Sequence, residues 1–395
     1  MQAGKLSNQS LLIRSHFTSC VSVCLPSNAS SRLIRRSILN RPNKSKNNTL
    51  LHQALSEENL DAAFAWLRES SRNNDYSDVW GYCGDWNNHK STLRQAITTN
   101  NFRFQAVRDV EINNEQVKRS YRELRCAEDR ILIRALAQVL KPIVSAATSE
   151  ECTHLADRGG LKGAVKDAQQ SMHQQPNGFV YKSDVKGYYA NIQHRILHDQ
   201  ICALLPNEPI ICRLLWQFMQ RSVERGGNYR DIHQGIPLGA SLSPLLAAVY
   251  LMPLDQAFSN NPDFFYRRYM DDWVIICRSR RVLRQTSKKV YSIMKSLNVE
   301  IHPDKTWLGR VKTGVDFLGF RITPTSIQAS TTSVSRRDAK IARLYEQGAN
   351  KKRIGSYLRR WLGWSFIGLV CHSPVYAFPD AGNCAISNPS PNVLT

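Results

Sequence analysis

Apolar positions along this chain keep two rhythms, one helical and one alternating, and the change from one to the other is informative. From near Asn48, TLLHQALSEENLDAAFAWLRES puts Leu50, Leu51, Leu55, Leu60, Ala63, Phe64 and Leu67 on one helical face. Asn73 to His89 reads as a loop anchored by Trp80 and Trp86, and residues 103–123 carry short β-like pieces. CAEDRILIRALAQVLKPIV repeats at helical spacing through Ile131, Leu132, Ala135, Leu136, Val139 and Leu140, which predicts a helix ending around Pro142. Gly159–Gly160 then breaks the chain before another helix.

From residue 178 the apolar runs shorten. GFVYKSD predicts a strand ending at Asp184, and HRILHDQICALL and EPIICRLLWQFMQRSV predict helices. QGIPLGASLSPLLAAVYLMPLDQAF is a Gly/Pro loop feeding an apolar helix. FFYRRYMDDWVIIC sets Asp271 and Asp272 between two strand-forming runs, and RVLRQTSKKVYSIMKSL is a basic amphipathic helix. NVEIHPDKTWLGRV and GVDFLGFRI are again strand-like. Ser335, with Asp338 three residues on, predicts the N-cap of a helix running to Gly348, and a basic, Trp-rich helix follows. A β-α-α-β-β-α-β order, with helices segregated from an antiparallel sheet, predicts an α+β fold.

Charge changes the picture. The 395 residues hold 53 Lys+Arg against 32 Asp+Glu, a formal net charge of +21. Such an excess favours a polyanionic partner, nucleic acid first, since each phosphate contact releases counterions. A membrane is not expected, because no run of 18 apolar residues occurs and neither a lipidation signal nor a clear membrane-surface helix stands out. None of the ten cysteines forms a CxxC pair, which excludes zinc-ribbon spacing and fits a reducing, cytoplasmic setting. The first 37 residues hold no Asp or Glu and are rich in Ser and Arg, the composition of a transit peptide; a disordered basic leader, or a translation start placed too early, is the reading favoured here.

Adjacent carboxylates in so basic a chain need a reason. An exposed hairpin tip is the ordinary explanation for Asp271–Asp272. Against it, Met270 is a poor turn residue and Trp273–Ile276 is too apolar for a free surface hairpin. Neighbouring carboxylates repel, and a bound cation offsets that best; oxygen ligands select Mg²⁺, with Mn²⁺ as the alternative. If the Asp184 strand neighbours the Asp271 hairpin, three acids meet at one sheet edge, the clamp two divalent ions need for phosphoryl transfer to a 3′-hydroxyl.

Several motifs then fall in a known order. YMDD at 269–272 resembles the catalytic box of reverse transcriptases; SDVKGYYANIQH (183–194) and QGIPLGASLSP (234–244) resemble the two motifs before it, and HPDKT (302–306) and DFLGF (316–320) the two after it. The likeness runs from about residue 100 to 365, nearest the bacterial enzymes related to group II introns, retrons and antiphage defence. It implies a right-hand polymerase, with Asp184 and Asp271 as metal ligands, Asp272 in support and the Val185 carbonyl contributing. Tyr189 takes the place of the aromatic that senses the sugar, with core packing beside Tyr188 as its ordinary explanation. Gln234 and Gly235 lie against nucleotide and template. Lys305 matches a lysine that helps pyrophosphate leave, though a solvated surface lysine explains it equally. Phe317, Leu318 and Gly319 match the hairpin that holds the primer end, and plain apolar packing accounts for them as well.

The fingers depart from the pattern. The basic-Pro-Leu-Gly-Ile-Pro signature of relatives near group II introns is missing, and VKRSYRELRCAEDR stands there instead. Arg119 and Arg122 are preferred over Lys118 and Arg125 for the triphosphate, and Arg158 is a template candidate. Arg336, Arg337 and Lys340 lead a basic run suited to duplex phosphates. The expected division is a basic leader (1–49), a helical N-terminal extension (50–98), fingers (99–177), palm with part of the fingers (178–330), helical thumb (331–372) and an irregular tail (373–395). Expected partners are an RNA template, including a dedicated structured RNA, a DNA primer and deoxynucleotides. No RNase H, integrase or HNH-nuclease region is recognisable. A maturase-like RNA-binding protein and a template-relaxed nucleotidyl transferase are the competing readings.

Overall fold

The structure, a computed structural model, describes residues 49–114, 117–124 and 126–366. The expected leader up to residue 48, the tail and the last thumb residues lie outside the described residues.

The first apolar run, expected as one helix, is two: α1 (Leu50–Ala54) and α2 (Glu57–Ser71). Ser56 divides them with an extended backbone, and its hydroxyl accepts the Asn59 N–H at 3.2 Å, an N-cap within the pattern. The expected loop shortens to a 3₁₀ turn at Asp78–Tyr82, followed by α3 (Trp86–Thr98). Trp86 does anchor this region: its ring stacks on Phe64 at 4.3 Å and its indole N–H donates to Asp61. Strands β1 (Val107–Asn114) and β2 (Val117–Glu123) form an antiparallel hairpin. Helix α4 (Ala127–Ala147) does not end at Pro142 but runs through it. Proline removes one ladder donor, yet buried Leu140 and Val144 continue the core-facing stripe across it, and tertiary packing outweighs the lost bond.

Next come α5 (Gly160–Gln174), β3 (Phe179–Ser183), α6 (Tyr188–Asn191), α7 (His194–Leu204), α8 (Pro209–Met219), the small hairpin β4 (Val223–Arg225) and β5 (Asn228–Arg230), α9 (Ser243–Tyr250) and α10 (Met252–Phe258). They lead into β6 (Phe264–Tyr269), β7 (Asp272–Cys277), α11 (Arg280–Ser296) and β8 (Trp307–Arg310). The central sheet has the order β6-β7-β3-β8 and every pairing is antiparallel. Ser183 stands opposite Trp273, so the strand leading to Asp184 is the neighbour of the strand leaving Asp271. The two-residue period of β3 and β7 divides their side chains between two cores. Val180, Val274 and Ile276 pack with Ala164, Val165 and Met172 of α5; Tyr181, Trp273 and Ile275 face the larger core built on α4, α9 and α11. Each such fully buried side chain contributes roughly 1.5–3 kcal/mol, which makes this sheet a rigid base for its turns.

A second sheet of β9 (Val315–Phe317), β10 (Phe320–Ile322) and β11 (Ile327–Ala329) leads to α12 (Thr331–Glu346) and α13 (Lys351–Ser365). Helix α12 begins before the expected Ser335: the cap is Ser330, whose hydroxyl accepts from Ser333 N–H at 3.2 Å. Its C-terminal side ends as expected at Gly348, φ 68°. No described helix is long and apolar enough to cross a membrane.

Candidate active site

The hairpin between β6 and β7 closes with Tyr269 opposite Asp272, leaving Met270 and Asp271 as a two-residue turn. Met270 occupies the turn that its chemistry seemed to argue against, at φ 57°, a left-handed conformation costly for any residue but glycine. Polar contacts from below hold it. Arg268, fully buried, donates to the Met270 carbonyl at 2.8 Å. Its charge is matched by Asp255 of α10, 1% exposed, at 2.7 Å from the Arg268 Nε, and the Tyr266 hydroxyl donates to the same carboxylate at 2.7 Å. On β6 the inward positions are Tyr266 and Arg268, so an alternation of buried residues places an arginine in the core, and an acid from the preceding helix is its counterpart. Reading FFYRRY by its period of two would have found Arg268; nothing local would have named Asp255.

Asp184 follows β3 directly and is 3% exposed; Asp271 and Asp272 are half-buried. Burial pushes the Asp271 carboxyl up to about 6, reinforced by Asp272 and Asp184 and opposed by Lys305. Burial also raises Asp272, with Lys182 acting against it and Asp184 with it. Removal from water thus outweighs the mutual repulsion that the sequence emphasised. Two lysines answer these charges. Lys305, in the short 3₁₀ turn Pro303–Lys305, forms an ion pair with Asp184 Oδ2, and Lys182 Nζ lies 3.0 Å from Asp272 Oδ1. Lys182 escaped the sequence reading, although it is the one cation in an apolar strand and sits two residues before Asp184, on the same face.

The residues fit hard divalent cations in donor type. All are carboxylate oxygens, and Asp184 Oδ1 is buried without a hydrogen-bond partner, a costly arrangement that a cation would relieve. Among the described residues, however, no three His, Cys, Asp or Glu side chains are grouped as a finished metal cage. The register brings Asp184 alongside Asp271–Asp272 as expected, while Lys305 and Lys182 stand on two of the three acids.

Tyr189, in α6, lies beside the turn, its hydroxyl 3.7 Å from Met270 Sδ and its ring edge-on to Tyr188. Gln234 is exposed and pairs with Gln193; Gly235, at φ 85°, donates its N–H to the Ile192 carbonyl at 2.7 Å, which stitches this loop to the Asp184 segment. A cleft lined by Lys186, Gln193, Gln234, Lys295 and Pro303 opens alongside. Val185 is buried and bridges to Ile301; that bridge uses the Asp184 carbonyl and the Lys186 N–H.

Other expected site residues lie apart. Phe317 is fully buried in the second core, and Leu318–Gly319 form the β9–β10 turn. Arg336 and Lys340 are exposed on α12, whereas Arg337 pairs with Asp338 and lies 4.6 Å over the Trp361 ring. Arg158 is placed differently from the expected template contact: its guanidinium donates to the carbonyls of Ser145 and Ser149 and to the Thr148 hydroxyl, closing the C-terminal end of α4. Arg119 and Arg122 stand on β2 opposite Ile112 and Asp109, and their side chains lie outside the described residues.

The pattern of the reverse transcriptase (RNA-dependent DNA polymerase) family matches residues 112–322, which includes the whole central sheet, its turn and the Tyr189 and Gln234 segments. The chain belongs to that family, whose members work with divalent metal ions and nucleic-acid substrates. Among curated proteins it is similar to Protein YkfC of Escherichia coli (strain K12), 24% identical over 238 residues, 49% of this chain and 60% of that protein. The chain therefore matches less than two thirds of that relative's length. Among solved structures, telomerase from Candida albicans with a fragment of telomeric RNA aligns over 58% of this chain and 46% of its own at 15% identity and a TM-score of 0.46. A partial Cas6-RT-Cas1–Cas2 complex aligns over 65% and 44% at 21% identity and a TM-score of 0.40.

Proposed function

We propose that this chain is an RNA-directed DNA polymerase that extends a primer 3′-hydroxyl with deoxynucleoside triphosphates on an RNA template. The observation that carries the reading is the pairing of β3 with β7, which puts Asp184 beside the Met270–Asp271 turn with Tyr189 against Met270. Asp184 and Asp271 would hold two Mg²⁺ ions, Mn²⁺ being the alternative, with Asp272 in support and the Val185 carbonyl adding a ligand. When bound, these ions lower the pKa of the attacking hydroxyl and neutralise the charge that develops on the phosphates.

The chain's own residues do the rest. The primer 3′-oxygen attacks the α-phosphorus as its hydroxyl proton passes to solvent, the bond to pyrophosphate breaks, and the Lys305 ammonium, paired with Asp184 before substrate binds, gives that leaving group a proton. Tyr189, fixed by Tyr188 and Met270, excludes a ribose 2′-hydroxyl. Gln234 and Gly235 flank the incoming nucleotide, and Phe317–Gly319 the primer end. Lys182 ties Asp272 to the sheet, in keeping with its supporting role. Residues 99–177 act as fingers, 178–330 as palm and 331–372 as thumb, with Arg336 and Lys340 on the phosphates of the RNA–DNA duplex and Arg119 and Arg122 on the triphosphate. Residues 50–98 form a helical extension suited to a structured RNA. The setting is a bacterial retroelement or antiphage system, which the motif likeness to group II intron and retron enzymes supports.

One assay tests the reading. The purified chain is given an RNA template, a DNA primer, Mg²⁺ and either dNTPs or NTPs. Wild type should extend with dNTPs, and Asp271→Asn should lose at least about a thousandfold, as expected when transition-state charge is left unopposed. Tyr189→Ala should extend with NTPs as well. Absence of metal-dependent extension by wild type would sink the polymerase reading in favour of a maturase-like role; extension without template would favour a relaxed transferase.

A further inference from the structure

The Met270–Asp271 turn has a second support, from a segment outside the motifs quoted from the sequence. After α4 the backbone runs along the outer edge of β6, on the side away from β7. Arg268 N–H donates to the Glu151 carbonyl at 2.9 Å, Thr153 N–H to the Arg268 carbonyl at 2.8 Å, and Cys152 bridges Arg268 in parallel. This short rail ends at His154, level with Met270. There the Met270 N–H donates to His154 Nδ1 at 3.2 Å. The other ring nitrogen, Nε2, faces the Pro244 carbonyl at 3.4 Å, at the start of α9.

Those two partners fix the tautomer. A carbonyl accepts only, so Nε2 carries the hydrogen; the Met270 N–H donates only, so Nδ1 offers its lone pair. With the Arg268 guanidinium on the Met270 carbonyl, the two polar groups of one residue are held by two side chains from different elements. A non-glycine residue at φ 57° persists where its surroundings over-determine it, and here the polar frame does so. The neighbours at the imidazole are the Cys152 thiol, 3.4 Å from Nδ1, the Tyr269 ring edge-on at 6.1 Å and the charge of Arg268.

We propose that His154 is a positioning residue of the polymerase centre, holding the Met270 peptide through Nδ1 so that the Asp271 carboxylate keeps one orientation towards Asp184. The inference rests on the polymerase reading above. It assigns His154 no contact with substrate; it acts through the turn.

Two substitutions separate this role from packing. Asparagine places its Oδ1 near the Nδ1 position and keeps the acceptor for Met270, whereas glutamine reaches the Nε2 position and keeps only the group facing Pro244. The full chain is assayed for primer extension across a dNTP series, and Mn²⁺ binding is followed by electron paramagnetic resonance without nucleotide. His154→Gln should lower kcat and Mn²⁺ affinity about 10–100-fold, the range for groups that orient metal ligands, with the dNTP KM within about twofold. His154→Asn should stay within about threefold of wild type in both. Equal loss in the two variants would mean packing and overturn the proposal, as would a wild-type His154→Gln or a greater loss in His154→Asn. If His154→Gln fails to unfold cooperatively, His154→Asn decides alone: wild-type behaviour supports the role and loss overturns it. A wild-type chain that binds Mn²⁺ without extending primers would sink the polymerase reading, while the Mn²⁺ comparison would still test the positioning.

Discussion

Two hairpin turns on neighbouring sheets solve the same backbone problem by different means. Met270 stands at φ 57° in the β6–β7 turn and Leu318 at φ 50° in the β9–β10 turn, each without the freedom of glycine. At the second turn Gly319 follows at φ 85°, so both central residues are left-handed, as in a type I′ hairpin whose twist suits its strands. Its fixing combines ring packing with hydrogen bonds to one carbonyl, both from the helices that follow. The Trp364 ring lies tilted against Phe320 with centroids 4.4 Å apart, Ser333 donates to the Gly319 carbonyl at 2.8 Å, and a Cβ on Gly319 would come within 3.0 Å of the Trp364 ring. At the first turn Met270 alone has a positive φ, the φ pattern of a type II′ hairpin, where glycine is the preferred residue. Its hold is polar: Arg268 with Asp255 and Tyr266 from below, and His154, distant in the chain, from the side. Directional bonds fix where a carboxylate points, whereas ring packing fixes only that two elements touch. The turn that carries acids relies chiefly on the first.

Removing one charge from the polar frame should therefore produce the largest effect. Asp255→Ala leaves the Arg268 guanidinium buried and unpaired, a loss of about 3–5 kcal/mol. Trp364→Ala at the second turn removes a half-buried ring and should cost roughly 1–2 kcal/mol, below the range for fully buried aromatics. Denaturant unfolding of both variants measures the difference. Equal costs would erase the distinction between the two turns.

That difference also explains what could be read from the residues in order. Strands alternate, so β3, β6 and β7 and the acids at their ends were legible from GFVYKSD and FFYRRYMDDWVIIC. Helix boundaries were legible only where a cap was unambiguous. Pro142 failed as a stop because Val144 had a core to pack into, and Ser330 rather than Ser335 starts α12 because it follows β11 directly. Asp255, His154 and Lys182 were not legible as partners. Their significance lies in which side chain stands across from them, which depends on sheet register and on the rail from Glu151 to His154. Arg158 shows the converse: a cation in a promising segment is spent on helix carbonyls, a fact that only tertiary placement reveals.

The polar frame should also respond to pH. Burial, with Arg268 and Arg158 adding to it, pushes the His154 imidazole down to about 4 from the usual 6.5. Between those values the unfolded chain binds the proton that the folded chain refuses. The contribution of neutral His154 is then complete above about pH 6.5 and lost as pH falls towards 4, spanning at most ~3 kcal/mol. The stability of wild type relative to His154→Asn should rise across that window and level off above it, and Trp364→Ala should keep the wild-type dependence. A flat difference between pH 4 and 7 would mean that the imidazole is not held neutral by the fold.

The smallest effects come from giving each turn the residue its backbone favours. Glycine removes the left-handed penalty of roughly 1–2 kcal/mol but adds up to about 1 kcal/mol of unfolded-state freedom. At Met270 those terms nearly cancel, since the peptide is held through its backbone by His154 and Arg268 and the side chain contributes mainly the contact with Tyr189. Met270→Gly should lie within about 0.5 kcal/mol of wild type. At Leu318 the side chain packs on the second core, so Leu318→Gly also forfeits burial and should lose about 1 kcal/mol despite the relief of strain. Unfolding midpoints of the two variants, measured side by side, settle the order. A Met270→Gly cost above about 1 kcal/mol would mean that the methionine side chain, rather than the polar frame around its peptide, holds the Met270–Asp271 turn.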